Sequence, residues 1–341
     1  MSFIASAISV VERAPLPDSF LRMGVNFLVG RTRERLGAAT GSTEEAFARD
    51  MSRFPIALHT DEANAQHYEV PARFFELALG PRRKYSCCYY DAPETTLAQA
   101  EVRALEETVA HAALADGQKI LELGCGWGSL SLFMAQKYPN ARITAVSNSN
   151  SQRLYIESEA SRLGLVNLTV LTQDMNDFVT AERFDRVVSV EMFEHMANWR
   201  GLLTRVRDWL APGGRLFVHI FTHRDQPYRF DHADKSDWIA QHFFTGGIMP
   251  SHGLIHTFSD LFEVEEEWRW SGRHYQRTAT DWLENFDANQ DEIDGVLSET
   301  YGADAGLWRR RWRLFFLATE GLFGDKDGDV WGVSHYRLRA P

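Results

Sequence analysis

The 341-residue sequence predicts an α/β fold, a doubly wound and mostly parallel seven-stranded sheet. Two observations carry that expectation. Between residues 119 and 222, short apolar runs alternate with amphipathic stretches of about 10–15 residues, the rhythm of strand–helix–strand crossovers. At one junction the chain reads Leu121-Glu-Leu-Gly-Cys-Gly-Trp-Gly128, a buried strand followed by glycines at every second position and then by a helix. A backbone built this way comes close to a nucleotide-like ligand.

Residues 1–90 read as a helical N-terminal extension that ends in a ligand-covering loop. Phe20, Leu21, Val25, Phe27 and Leu28 mark one amphipathic segment of it. Residues 42–54 form a second helix, capped by Ser42 or Thr43. The run from His67 to Phe75 leads into Tyr85-Ser-Cys-Cys-Tyr-Tyr90, which suits a buried strand edge and a ligand pocket equally. Residues 91–341 read as the main domain. A helix over 94–115, capped by Thr95 or Thr96, precedes strand 119–123 and helix 129–138. Strand 142–147 and helix 150–163 follow, then strand 168–172, strand 185–190, helix 198–210 and strand 215–222. Residues 223–255 are rich in His, Phe, Trp and Gly and read as an inserted lid. After them come strand 262–270, a helical insertion over 278–323 with helices 280–301 and 304–323, and a last strand over 331–339.

The formal charge of −11 disfavours nucleic acid and anionic bilayers, which attract a basic field. The basic run Trp308 to Arg313 reads as one solvated helix face. Cys87, Cys88 and Cys125 make no disulfide framework, which fits a reducing cytoplasmic setting. No apolar run approaches the ~18 residues of a membrane span, and no basic stretch precedes apolar residues 2–11 to make a signal peptide. The pairs His219/His223 and His252/His256 lack completing ligands, so no metal is expected.

The glycine spacing G-x-G-x-G differs from the dinucleotide pattern, with Ser129 where a third glycine would stand. Glu122 would repel a pyrophosphate and suits a cationic or zwitterionic ligand. The ligand inferred is S-adenosylmethionine (SAM), which carries a sulfonium, an α-amino group and a nucleoside but no phosphate. Ligands of such sheets lie beyond the strand C-termini. Those ends carry Gly124 and Gly126, then Ser147, Asn148 and Gln152, then Asp174, Met175 and Asn176. Val190 leads into Glu191, Glu194 and His195, two carboxylates and an imidazole close enough to shift one another's proton affinities.

Tyr85-Ser-Cys, Leu121 to Gly128, Phe193-Glu-His and His274-Tyr-Gln-Arg-Thr278 together resemble the cyclopropane-fatty-acid-synthase superfamily of SAM-dependent methyltransferases, over roughly residues 65–340. Glu194-His-Met-x-Asn198, Phe243-Phe-x-x-Gly247, Trp282-Leu-x-x-x-Asp287-x-Asn289 and Trp331-x-x-Ser334-His335 resemble most its coclaurine N-methyltransferase-like branch. The resemblance implies a class I, Rossmann-like methyltransferase fold. It implies a SAM site made by Tyr85, Ser86, Gly124, Gly126, Ser147, Asn148, Gln152, Met175 and Asn176, with Glu191, Glu194 and His195 facing the acceptor. Lipid-cyclopropanating members hold a bicarbonate ion through five residues, and the matching positions here are Cys87, Glu194, His219, Phe221 and Tyr275, with Phe221 in place of Ile. The favoured acceptor is a small, partly hydrophobic amine, its proton taken by Glu194 with His195. The alternative is an unsaturated acyl chain of a lipid, with bicarbonate as an added cofactor. A homodimer is among the assemblies allowed.

Overall fold

The computed structural model describes residues 11–14, 16–38, 43–58, 70–235 and 237–341. The expected features at Ser42, at His67 and over residues 2–10 lie outside them.

Among the described residues, nine strands occur: β1 (Lys119–Leu123), β2 (Arg142–Ser147), β3 (Leu168–Thr172), β4 (Phe184–Val190), β5 (Leu210–His223), β6 (Tyr228–Arg229), β7 (Ile248–Met249), β8 (Glu263–Ser271) and β9 (Trp331–Arg339). Seven of them form one sheet in the order β3-β2-β1-β4-β5-β9-β8. β1 to β5 run parallel, and β9 inserts antiparallel between β5 and β8. The order reverses at β1, which opens a crevice beyond the ends of β1 and β4.

Both faces of the sheet are covered, as a parallel sheet requires. Leu121, Val187, Leu216 and Val218 pack on the face that holds Trp199, Leu203 and Val206. Ile120, Val188 and Phe217 pack on the opposite face with Leu105, Val109, Leu130 and Met134. Each fully buried aliphatic or aromatic chain contributes about 1.5–3 kcal/mol.

The described helices are α1 (Asp18–Ala38), α2 (Glu44–Met51), α3 (Ala72–Ala78), α4 (Leu97–His111), α5 (Ser129–Lys137), α6 (Asn150–Arg162), α7 (Trp199–Trp209), α8 (Trp238–His242), α9 (Gly272–Ala288), α10 (Gln290–Tyr301) and α11 (Ala305–Gly324). Thr43 caps α2, and Thr96 with Gln99 forms a reciprocal capping box on α4. The single helix expected over 280–301 is two helices. α9 begins eight residues earlier, at Gly272, because Ser271 caps it and only a glycine fits there: a Cβ would lie 2.2 Å from the Trp331 carbonyl oxygen. The break falls at Asn289, whose side chain donates to the Leu77 carbonyl at 3.0 Å.

α11 carries the basic run, and its arginines are engaged within the chain. Arg309 pairs with Asp294, Arg311 with Glu12, and Arg313 with both Asp18 and Asp287. No described helix is long and apolar enough to cross a membrane.

Candidate active site

The glycine turn after β1 shapes one side of the cavity. Gly124, Gly126 and Gly128 all have positive φ, at 77°, 51° and 78°. The Gly124 and Cys125 amides both donate to the Val146 carbonyl, at 2.9 and 3.0 Å, which ties the turn to β2. At Gly124 a Cβ would fall 2.6 Å from Met192 Cβ. The glycine therefore answers both a left-handed backbone and a close approach.

Tyr85, Ser86, Glu122, Gly124, Gly126, Ser147, Asn148, Gln152, Met175 and Val190 line this cavity. Ser147 Oγ donates to Gln152 Oε1 at 2.7 Å, and Gln152 Nε2 is buried with no partner among the described residues. A buried donor left open inside a glycine-walled cavity fits a ligand with polar edges. Glu122 is 2% exposed and accepts from Ser131 Oγ. Burial pushes its carboxyl up to about 8, against the opposing pull of that hydrogen bond.

Two of the expected ligand contacts lie outside the cavity lining. Asp174 Oδ1 accepts the Asn176 amide at 2.7 Å and closes a turn. Asn176 in turn clamps Ala57, accepting its N–H and donating to its carbonyl, each at 3.1 Å. Their side chains position the segment around Ala57, which itself lines the cavity.

At the end of β4 the chain turns through Glu191, a non-glycine residue with φ of 47°. The turn carries its carboxylate into the cavity wall. Two groups donate to that carboxylate, the Cys87 amide to Oε1 at 2.9 Å and the Tyr275 hydroxyl to Oε2 at 2.6 Å, and His219 Nε2 lies 3.2 Å from Oε1. Burial pushes the Glu191 carboxyl up; the Lys84 charge, the Cys87 amide and the Tyr275 hydroxyl oppose it. Lys84 is itself buried, with Nζ donating to Ser86 Oγ at 2.5 Å and to the Cys87 carbonyl at 2.6 Å.

Glu194 does not line the cavity, contrary to the expectation that it faces the acceptor. It sits on the short 3-10 turn Phe193–His195, fully buried, and its Oε1 accepts the Phe221 amide at 2.9 Å. Its Oε2 is buried without a partner among the described residues. Burial and the nearby Glu191 charge push its carboxyl well up. His195 does line the cavity, stacked on Phe244 with ring centroids 4.9 Å apart.

Cys87 and His219 lie behind the wall and reach the cavity through Glu191. The Cys87 thiol is buried and pushed well up by that burial; its backbone amide is the group in use. His219 is driven well down by burial and by Lys84, which leaves it neutral. Tyr275 contributes to the lining, as do Lys84, Gln173, Phe244 and Phe315, which sequence reasoning did not single out. Lys84 had one signal, a charge set directly before an aromatic, thiol-bearing run. Phe244 had two, its place in the Phe243-Phe-x-x-Gly247 motif and in the expected lid, and Gln173 directly follows strand 168–172; Phe315 had none.

A glycine turn without a phosphate-binding third glycine, on a sheet with an antiparallel strand beside β5, belongs to the Rossmann-like SAM-dependent methyltransferases, and this enzyme is one of them. Residues 58–333 match the mycolic acid cyclopropane synthetase family, and the chain belongs to that family. It is 35% identical to the (S)-coclaurine N-methyltransferase of Thalictrum flavum subsp. glaucum, over 98% of this chain and 95% of that one. It is 29% identical to the cyclopropane-fatty-acyl-phospholipid synthase of Escherichia coli K12, over 79% of this chain and 66% of the relative. In structure it resembles a coclaurine N-methyltransferase crystallised with N-methylheliamine and S-adenosylhomocysteine, with a TM-score of 0.94, 32% identity, and coverage of 98% and 99% of the two chains.

Proposed function

We propose that this enzyme transfers the methyl group of SAM to the nitrogen of a small, partly hydrophobic amine. The observation that carries the reading is the Glu191 carboxylate in the cavity wall, held by the Cys87 amide and the Tyr275 hydroxyl with His219 Nε2 beside it. Cys87, His219 and Tyr275 are the positions that the family resemblance assigned to a bicarbonate ion. Here the Cys87 amide and the Tyr275 hydroxyl already hold a carboxylate of the chain itself, and His219 lies against it, so the residues do not fit a bicarbonate ion. A fixed negative charge in a cavity wall that also carries Phe221, Phe244 and Phe315 suits an ammonium on an apolar skeleton.

Tyr85, Ser86, Gly124, Gly126, Ser147, Asn148, Gln152 and Met175 would hold SAM, which supplies an already activated methyl group. The chain's own work is positioning, exclusion of water and proton removal. An alkyl amine with a pKa near that of Lys, about 10.4, is protonated at neutral pH, and freeing its lone pair there costs about 4 kcal/mol. Glu191 accepts that proton, and His195 on the same wall orients the amine.

The test offers labelled SAM with heliamine or with an unsaturated phospholipid, each with and without added bicarbonate. Fragmentation then locates the new carbon. N-methylated heliamine in bicarbonate-free buffer is expected. Label appearing in acyl chains only, and only with bicarbonate, would overturn the reading in favour of the lipid alternative.

A further inference from the structure

Behind Glu191 the structure holds a line of hydrogen-bonded rings that the methyl transfer itself does not require. His219 Nε2 lies 3.2 Å from Glu191 Oε1. His219 Nδ1 lies 2.7 Å from His335 Nε2. His335 Nδ1 lies 2.8 Å from His111 Nδ1. His111 Nε2 lies 3.0 Å from Glu107 Oε2. Both nitrogens of every ring are used, and the line ends on a carboxylate at either side. It crosses from the cavity wall through β5 and β9 to α4, where the Glu107 side chain is 19% exposed.

Counting hydrogens shows what the line can do. Four gaps separate its five groups, and each gap needs one hydrogen to become a hydrogen bond. Ionised carboxylates supply none and each neutral imidazole supplies one. Three hydrogens for four gaps leave one vacancy. The array is thus complete only after it takes up one more proton, and it can take it up or release it at either end.

We propose that Glu107, His111, His335 and His219 form a proton exit that carries the proton lost by the amine from Glu191 to solvent. This rests on the amine reading above. Methylating a protonated secondary amine releases one proton per turnover, because the product keeps only one of the two N–H hydrogens. With Glu191 ionised, the N–H bond of the ammonium breaks, its electron pair becomes the lone pair that takes the methyl group, and its hydrogen lands on Glu191. Glu191 passes a proton to His219 Nε2, His219 Nδ1 to His335 Nε2, His335 Nδ1 to His111 Nδ1, and His111 Nε2 to Glu107, which yields one to water. The charge on the line is then what it was before the ammonium arrived. Each imidazole hydrogen now sits on the nitrogen nearer Glu191; once the product has left, a proton taken up at Glu107 runs inward along the same bonds, returns each hydrogen to its starting nitrogen, and leaves Glu191 for water in the emptied cavity.

The surroundings keep the rings neutral and in place. His111 stacks on Trp268 with centroids 3.8 Å apart, and Trp270 packs on His335 at 4.2 Å and on His219 at 5.4 Å. The charged groups that face the line are Lys84 at its inner end and Arg103, Glu266 and Arg337 around His111. Burial drives His219 and His335 well down and lowers His111, so a proton passes through them and does not stay.

The test compares wild type with Glu107→Gln, at the accessible outlet, and with His335→Gln, using SAM and heliamine from pH 6.5 to 10. Both variants are expected to lose about 10-fold or more in kcat near neutral pH, below the about 100-fold at which direct general bases begin, with both KM values unchanged. The loss should shrink as pH nears about 10, where the amine arrives already neutral. A merely structural defect would lower kcat equally at every pH. That result, or wild-type profiles in both variants, would overturn the relay. A wild-type enzyme that leaves heliamine unmethylated would instead overturn the amine reading itself.

Discussion

The Tyr275 hydroxyl donates to Glu191 Oε2 at 2.6 Å and so joins α9 to the turn after β4. The bond favours the ionised carboxylate, in opposition to the burial that raises it. Tyr275→Phe removes the donor and leaves the ring in place against Phe323, 4.4 Å away. The Glu191 pKa should then rise further, so the base ionises only at higher pH. The expected result is an acidic limb of the kcat–pH profile displaced upward, with activity at neutral pH reduced about 10-fold or more. An unmoved limb would detach Tyr275 from the proton step.

Glu191 and Glu194 should part company under the same substitution. Glu191→Gln removes the proton acceptor and should lower kcat by about 10²-fold or more, the range of positioned general bases, while S-adenosylhomocysteine still binds by calorimetry. Burial and the Glu191 charge push the Glu194 carboxyl well up, toward the neutral acid, and Gln is close to that acid in shape and in its acceptor oxygen on Phe221. Glu194→Gln should therefore cost well under 10-fold, short of the general-base range. Equal losses in the two variants would return Glu194 to the mechanism.

Much of this architecture was legible in the chain. Strands β1 to β3 and β9 lie where apolar runs meet turn residues, and the glycine triplet placed the cavity at the end of β1. The direction of individual side chains was not legible. Glu191 and Glu194 fall three residues apart, and which one meets the cavity depends on a left-handed φ at Glu191 that a glutamate does not advertise. Asp174 and Asn176 read as ligand contacts because they follow a strand, yet local turn closure and the clamp on Ala57 claim their polar atoms. The histidine line was invisible for a different reason. His219 and His335 are 116 residues apart, and the antiparallel pairing of β9 with β5 sets them side by side, while His111 reaches His335 from α4. The start of α9 was missed because its first turn, Gly272-Arg-His, has no apolar periodicity.

Gly124 offers a test of the cavity's shape that touches no titrating group. Gly124→Ala would place a Cβ 2.6 Å from Met192 Cβ, at a residue with φ of 77°. The left-handed backbone alone costs about 1 kcal/mol or more, and Met192, whose backbone flanks Glu191, must also move. The expected outcome is a lower denaturation midpoint together with weaker binding of S-adenosylhomocysteine. A variant with wild-type stability and affinity would show that the turn has slack that these distances do not allow.

The buried carboxyl of Glu122 makes a prediction about the ligand-free protein. Its folded pKa is raised from an ordinary value of 4.5 to about 8. Between those values the folded state holds a proton that the unfolded chain has released, so stability falls as pH rises through that window. Glu101, pushed up to about 7 by burial, acts with the same sign over a narrower range. Glu12 acts in the opposite sense and at lower pH: its carboxyl is lowered to about 2 by hydrogen bonds from His242 and Trp238 and by the Arg311 charge, which together outweigh its burial. Its stabilisation is present above 4.5 and is lost as pH falls toward 2. Below about pH 6.5 the lowered histidines His219, His223 and His335 slope the opposite way, so the melting temperature of the ligand-free wild type should decline from about pH 6.5 to about pH 8. Glu122→Gln keeps an acceptor oxygen for Ser131 and cannot ionise, so it should melt higher than wild type at pH 8 and show a flatter profile, with the remaining slope set by Glu101, Glu191 and Glu194. Equal slopes in the two proteins would mean that Glu122 is ionised in the folded state at neutral pH, held there by a compensating charge.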